Sequence, residues 1–259
     1  MLTTDFPLGS PCWIDLGSPD IPATADFYGK VFGWTFQEVP EAGGYGFLQK
    51  DGRTVGAIGS LDAGARSAWT TYFRTPDADA TVNAAEQAGA TVRVPPTDVM
   101  REGRFAALTD PQGAEFSVWQ AGDTTGLEAV SEEAALVWAE LHTPDQEDAS
   151  AFYRQLFGWR VQEFEPAPGM HYRVASTAEG DQQATSFGGI APTMGPAQPA
   201  AWTPYFATAD VDARVAKATA AGGSVLMGPE NVRNVGRIAW VADPDGAPFA
   251  LIKGDPNQT

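Results

Sequence analysis

The segment FYGKVFGW at Phe27–Trp34 returns as FYRQLFGW at Phe152–Trp159, 125 residues further along the chain. No other feature limits the possible folds as strongly, because a period this long indicates two domains rather than a solenoid of short repeats. The repeat extends outwards on both sides. WIDLGSPD at Trp13–Asp20 matches WAELHTPD at Trp138–Asp145 with the same offset. Ala68–Val92 matches Ala201–Val225 with 14 of 25 positions identical, and Gly103–Gln120 matches Gly236–Lys253, both pairs now 133 residues apart. The second copy therefore carries eight more residues, within EPAPGMHYRVASTAEGDQQATSFGG. The polar, acidic stretch AGDTTGLEAVSEEAA reads as a linker. The expected domains are 1–120 and 136–259, joined by 121–135.

Each copy contains a shorter unit twice. A strand at Trp13–Ser18 leads into a helix opened by Asp20 as N-cap, with Pro22 in the first turn, where its missing N–H costs little. Phe27, Tyr28, Val31 and Phe32 form one apolar stripe, and Gly33 ends the helix in the left-handed conformation. Strands are expected at Tyr45–Gln49 and Thr54–Leu61, with Tyr45 and Phe47 on opposite sides. The pattern restarts with a strand at Trp69–Thr75, a helix over Asp77–Ala88, and strands near Thr91–Val94, Arg104–Leu108 and Ala114–Gln120. Four strand–helix–strands modules in all make this an α+β chain.

Composition narrows the function classes. Hydrophobic residues make up 43% and charged residues 19%, an ordinary globular balance. A net charge of −17 repels phosphate backbones and anionic lipid, so neither nucleic acid nor membrane is an expected partner. No apolar run reaches the roughly 20 residues of a membrane span, and MLTTDFPLGS lacks a basic segment followed by an apolar one. The expected location is cytoplasmic. Cys12 is the sole cysteine, which rules out an intrachain disulfide and a Cys-rich metal site. Gly43–Gly46 and Gly188–Gly189 lack the lysine and following helix of a phosphate loop, and there is no GxSxG element.

The spacings WIDLxxxDxxxxxxFYxxxFGW, YFxTxDxDAxVxxAxxAG and GRxAxxxDPxGAxF resemble the vicinal oxygen chelate superfamily. That group holds the glyoxalase, bleomycin-resistance and extradiol dioxygenase proteins. The resemblance covers nearly the whole chain, in both halves. It is greatest to tandem actinobacterial members labelled glyoxalase-like or hydroxylase-like, some associated with aromatic antibiotic pathways. It implies two tandem domains, each of two βαβββ modules forming curved mixed sheets around a ligand cavity. Such a fold does not fix the chemistry. In metal-using members, ligands stand seven residues before the helix-opening Asp of a module, or seven after the Asp of the DPxG turn. Those places here are Trp13, Thr70, Ser117, Trp138, Thr203 and Ala250, none of them His or Glu. An indole N–H only donates, and hydroxyls alone serve zinc or iron poorly. No metal and no other cofactor is therefore expected.

Other candidates follow from the period-2 alternation of strands. Trp138, Glu140 and His142 share one strand face, as do Trp13, Asp15 and Gly17 in the first copy. Three readings of His142 stay open: half of a metal site, a general base paired with Glu140, or a hydrogen-bonded strand histidine. Asp15 and Glu140 are either cavity acid–base groups or partners of Arg104, Arg237 or backbone N–H groups. Thr70, Tyr72 and Arg74 share a face, as do Thr203, Tyr205 and Ala207; Ser117 and Trp119 share another, against Ala250 and Ile252. A cavity walled by Trp13, Tyr72 and Trp119 suits a flat apolar ligand. The expected catalytic residues are thus Asp15, Glu140, His142, Tyr72 and Tyr205. The expected ligand-binding residues are Trp13, Thr70, Ser117, Trp119, Trp138 and Thr203. The leading reading is a metal-independent protein of monomeric or homodimeric state. It binds and modifies a hydrophobic or aromatic small molecule, as in natural-product tailoring. The alternatives are a sequestering protein of the bleomycin-resistance type and a metal-dependent lyase or dioxygenase. Two points remain open: whether the eight-residue insertion acts as a lid, and whether modules pair within or across halves.

Overall fold

A computed structural model describes residues 1–40, 42–61, 64–165, 169, 171–193, 195 and 198–255. The first module runs β1 (Pro11–Ser18), α1 (Ile21–Phe32), β2 (Thr35–Glu38), β3 (Gly46–Lys50) and β4 (Arg53–Ser60). The second runs β5 (Ala68–Arg74), α2 (Ala78–Gln87), β6 (Thr91–Val99), β7 (Gly103–Thr109) and β8 (Glu115–Ala121). The third comprises β9 (Leu136–Thr143), α3 (Gln146–Phe157), β10 (Arg160–Phe164), β11 (Tyr172–Ser176) and β12 (Ser186–Pro192). The fourth comprises β13 (Ala201–Ala207), α4 (Val211–Ala220), β14 (Ser224–Val232), β15 (Gly236–Ala242) and β16 (Pro248–Gly254).

Local chemistry sets these boundaries. The side chains of Asp20, Asp77, Asp145 and Asp210 each accept a backbone N–H of the first helical turn, a role that four early donors of any helix require. Gly33 and Gly158 close α1 and α3 at φ of 80° and 69°, where a side chain would be strained. The strands form two eight-stranded sheets, ordered β2-β3-β4-β1-β5-β8-β7-β6 and β10-β11-β12-β9-β13-β16-β15-β14. In every module the first strand runs parallel to the last, and consecutive hairpin strands run antiparallel. The fold is thus α+β with tandem sheets of mixed direction.

Compactness groups the modules across the sequence halves. One unit takes Met1–Trp13, Thr70–Gly126 and Trp138–Thr203, so it joins the second and third modules. The other takes Ile14–Trp69, Leu127–Val137 and Pro204–Thr259, so it joins the first and fourth.

The repeated FYxxxFGW segment supplies each unit's core. In the first unit Tyr153 stacks on Trp159 at 4.7 Å, and both rings meet Phe73 and Trp202. The buried Tyr153 hydroxyl accepts from Trp202 Nε1 at 2.9 Å and donates to Asp110 Oδ2 at 3.0 Å. Asp110 is the aspartate of the DPQG turn, and its Oδ1 accepts the backbone N–H groups of Gln112 and Ala114. The second unit repeats this clasp with other residues. Tyr28 accepts from Trp69 Nε1 at 3.0 Å and donates to Asp243 Oδ2 at 3.3 Å. Each tyrosine of a first-strand helix therefore holds the DPxG turn of a module from the opposite half. The motif's tryptophans are anchored as well, Trp34 Nε1 on Ala134 O and Trp159 Nε1 on Gly9 O.

Two expectations need revision. Tyr45 and Phe47 do not diverge: their ring centroids are 6.2 Å apart, as two positions on one strand face must be. Arg104 and Arg237 do not serve Asp15 or Glu140 among the pairs seen. Arg104 holds Asp79 and Asp98, and Arg237 holds Asp212. Residues 166–168 and 170 of the insertion lie outside the described residues, and the lid reading lies there with them.

Candidate functional site

Strand β9 carries Trp138, Glu140 and His142 on alternate positions, and in the first unit they form one polar network. His142 Nε2 meets Glu140 Oε1 at 2.7 Å, and His142 Nδ1 meets Pro192 O at 3.1 Å. The hydroxyl of Tyr172, on β11, donates to Glu140 Oε2 at 2.7 Å and accepts from Trp138 Nε1 at 2.9 Å. Glu140 and His142 are buried, at 7% and 5% exposure, whereas Trp138 and Tyr172 are half-buried. The network is therefore an enclosed acid–base pair with a partly accessible aromatic rim.

Sheet pairing brings these groups together. Glu140 lies opposite Gly189 on β12, which lies opposite Val174 on β11, two residues from Tyr172. Gly189 is where the tyrosine crosses the sheet. A Cβ there would sit 1.8 Å from Tyr172 Oη and 2.1 Å from Cζ, so only glycine leaves room for the ring.

The donors and acceptors fix where the protons lie. The Pro192 carbonyl can only accept, so Nδ1 of His142 carries a hydrogen. One further proton bridges Nε2 and Oε1. Burial and the adjacent Glu140 carboxylate push the Tyr172 phenol well above its ordinary range, so it stays protonated and donates. Such a pair can release or take up one proton beside a fixed phenol, the requirement for general acid–base work.

In the first module Trp13 and Asp15 stand at the places of Trp138 and Glu140. Asp15, half-buried on β1, pairs in register with Ala57, and Gly17 stands in the place of His142. A Cβ on Gly17 would lie 2.4 Å from Leu61 Cδ2, so Leu61 fills the space that a side chain there would need. Tyr205 is buried, and its hydroxyl accepts from Trp240 Nε1 at 3.0 Å. Thr203 is buried on β13 in the first unit, and Ala250 is buried on β16 in the second. Of the remaining sequence candidates, Thr70, Tyr72 and the β1 residue Trp13 are half-buried, while Ser117 and Trp119 are buried. Tyr72 pairs in register with Ser117, and Arg74 with Trp119. Two surface depressions of about 440 and 180 Å³ lie in the second unit, and neither is lined by a sequence candidate. Cys12 is wholly buried, and burial pushes its thiol up to about 12, which removes it as a nucleophile at neutral pH.

Tyr172 is the residue that sequence reasoning missed. It lies on β11 in the segment that carries the extra residues, where strand pairing makes it the counterpart of Tyr45, and its reach to Glu140 depends on pairing across three strands.

The places at which the family resemblance implies metal ligands carry weak donors or none. The six ligand places hold two tryptophans, a serine, two threonines and an alanine. Among the described residues no group of three His, Cys, Asp or Glu could hold an ion.

Comparison with known proteins matches this geometry to a family. The family model "Glyoxalase/Bleomycin resistance protein/Dioxygenase superfamily" matches twice, over residues 12–118 and 135–251. The chain is 36% identical over 262 residues, 98% of each protein, to CFP32 of Mycobacterium bovis, which carries a provisional glyoxylase name. It is 36% identical over 276 residues to the anthracycline biosynthesis protein DauV of Streptomyces sp. strain C5, covering 96% of this chain and 95% of the relative. The Mn(II)-bound glyoxalase from Novosphingobium aromaticivorans shares the fold with a TM-score of 0.63 at 16% identity, over 97% of this chain and 85% of that one.

Proposed function

The chain belongs to the Glyoxalase/Bleomycin resistance protein/Dioxygenase superfamily, and from that premise we propose that it binds a hydrophobic, aromatic small molecule and modifies it by metal-independent proton transfer, as a natural-product tailoring protein. The observation that carries this reading is the Trp138–Tyr172–Glu140–His142 network. Its Trp138 stands where the family resemblance implies a metal ligand, and the proton-transfer pair lies two and four residues further along the same strand. The kinship to an anthracycline biosynthesis protein supports the aromatic ligand class.

In this reading Glu140 and His142 take a proton from carbon or oxygen of the ligand, and the bridging proton adjusts between them. Tyr172 keeps the Glu140 carboxylate aimed, and Trp138 keeps Tyr172 aimed. Substitution of Glu140→Gln keeps the shape of the side chain and removes its ability to accept a proton as a carboxylate.

A panel of aromatic polyketide ketones tests the proposal. Exchange of a carbon-bound hydrogen next to the carbonyl for deuterium in D₂O is read by mass spectrometry, and binding by tryptophan fluorescence. The expected result is exchange with the native chain, none above background with Glu140→Gln, and similar affinity for both. The burial of the pair favours one competing reading, a sequestering protein whose network is structural. Equal binding by both forms with no exchange by either supports that reading instead.

A further inference from the structure

The first unit presents a half-buried arginine that meets no carboxylate among the described residues. Arg74 sits on β5, alternating with Phe73, which packs into the aromatic core. Among the described residues its side chain makes one hydrogen bond, a long one, Nη1 to Thr75 O at 3.5 Å. The other half-buried arginines among the described residues are engaged. Arg104, Arg173, Arg214 and Arg237 hold carboxylates, and Arg160 donates to the carbonyls of Thr177, Glu179 and Gly180. In a chain with 33 acidic residues against 16 basic ones, a partly desolvated guanidinium without a carboxylate stands out.

Its neighbours in the sheet are aromatic. Arg74 pairs in register with Trp119 on β8, and Trp119 with Phe105 on β7. The Trp119 indole is locked by donation to Thr124 O at 2.9 Å, and it lies over Gly103, where a Cβ would be 2.5 Å from Cζ2. Tyr72, one alternation before Arg74, has its ring centroid 6.4 Å from that of Phe105. The arrangement is a fixed aromatic corner with one open cation beside it. The equivalent row of the second unit is Ala207, Ile252 and Ile238, without charge or ring.

We propose that Arg74 recognises an acidic oxygen group on a flat aromatic ligand lodged against this corner, so that the ligand class preferred here is a planar aromatic acid rather than a neutral ring. This goes beyond the Glu140–His142 reading, because β5, β7 and β8 belong to the sheet of β1 and not to that of β9. A guanidinium offers a planar fork of donors that matches a carboxylate, and rings beside it hold a flat body in register with that fork. A charge-assisted pair at a partly desolvated place discriminates by about tenfold or more against a neutral isostere.

The probes are anthraquinone-2-carboxylate and its neutral isostere anthraquinone-2-carboxamide, titrated at pH 7 against the whole chain by quenching of tryptophan fluorescence. The native chain is expected to bind the carboxylate about tenfold more tightly. Arg74→Gln is expected to bring both affinities together by weakening only the carboxylate, and Arg74→Lys to restore part of the preference. Circular dichroism melting of each variant checks that the fold persists. Equal affinity of the native chain for both probes overturns the proposal, as does a preference that survives in Arg74→Gln. Failure of the native chain to bind either ring overturns it as well, and each of these results leaves the Glu140–His142 reading to its own test.

Discussion

Substitution of Gly189 by alanine tests the polar network through its tightest contact. The added methyl would lie 1.8 Å from Tyr172 Oη and 2.1 Å from Cζ, far inside van der Waals contact. The backbone needs no special conformation at this position, so the effect is steric. The ring has to swing away, and both its 2.7 Å bond to Glu140 and its 2.9 Å bond from Trp138 break. Overpacking costs about 1–3 kcal/mol, and breaking the two hydrogen bonds of the Tyr172 hydroxyl costs about 1–3 kcal/mol more. Relaxation of the tyrosine recovers part of this, which leaves a net loss of about 2–4 kcal/mol. For a chain of this size that lowers Tm by about 5–15 °C. Calorimetry gives the first measurement. The second is the imidazole ¹⁵N–¹H spectrum, which contains only His142 and His171 and is assigned with a His171→Gln variant. The His142 signals are expected to move in Gly189→Ala and to move in the same sense in Tyr172→Phe, which deletes the hydroxyl but keeps the ring. A Gly189→Ala protein with native Tm and unshifted His142 signals would refute the network as the element that orients Glu140.

The two core clasps predict unequal costs. Tyr153→Phe strands Asp110 Oδ2 and the Trp202 N–H in buried surroundings and is expected to lose about 2–4 kcal/mol in urea unfolding. Tyr28→Phe removes a longer bond, 3.3 Å against 3.0 Å, and is expected to lose less; the reverse order would contradict the clasp geometry. Asp110 also predicts a pH signature. Burial raises its carboxyl, partly offset by the Ala114 N–H and Tyr153. A raised folded pKa contributes stability that is complete below the unfolded value near ~4 and is lost as pH rises through the folded one. The stability difference between the native chain and Asp110→Asn is therefore expected to grow in favour of the native chain as pH falls from 7 towards 4, and urea midpoints at several pH values check the sign.

How much of this was legible beforehand follows the range of each interaction. Asp20 and Gly33 mark their helix from a few residues on either side, and the Phe27, Tyr28, Val31 and Phe32 stripe needs only helical periodicity. The shared face of Trp138, Glu140 and His142 needs only the alternation of a strand, and their side chains do meet one network. Tyr172 was out of reach because it joins Glu140 through two strand pairings and sits in the segment that carries the extra residues. The grouping of modules across halves was illegible for a different reason. Asp110 and Asp243 lie in near-identical turns, and Tyr28 and Tyr153 in near-identical helices, so the residue types satisfy either pairing equally well. The choice of Asp79 and Asp212 as arginine partners likewise depends on how a helix lies on its sheet, which the local pattern does not encode.

The central claim is that the residues of β9 and β11, rather than a bound metal, carry the chemistry of this family member. The most direct test measures deuterium exchange on the best-bound aromatic ketone before and after exhaustive chelation, with metal content determined on the same samples. The account predicts an unchanged rate in protein stripped of metal and a rate lost in Glu140→Gln. Activity that disappears on chelation and returns with added Mn(II), Zn(II) or Fe(II) would contradict it.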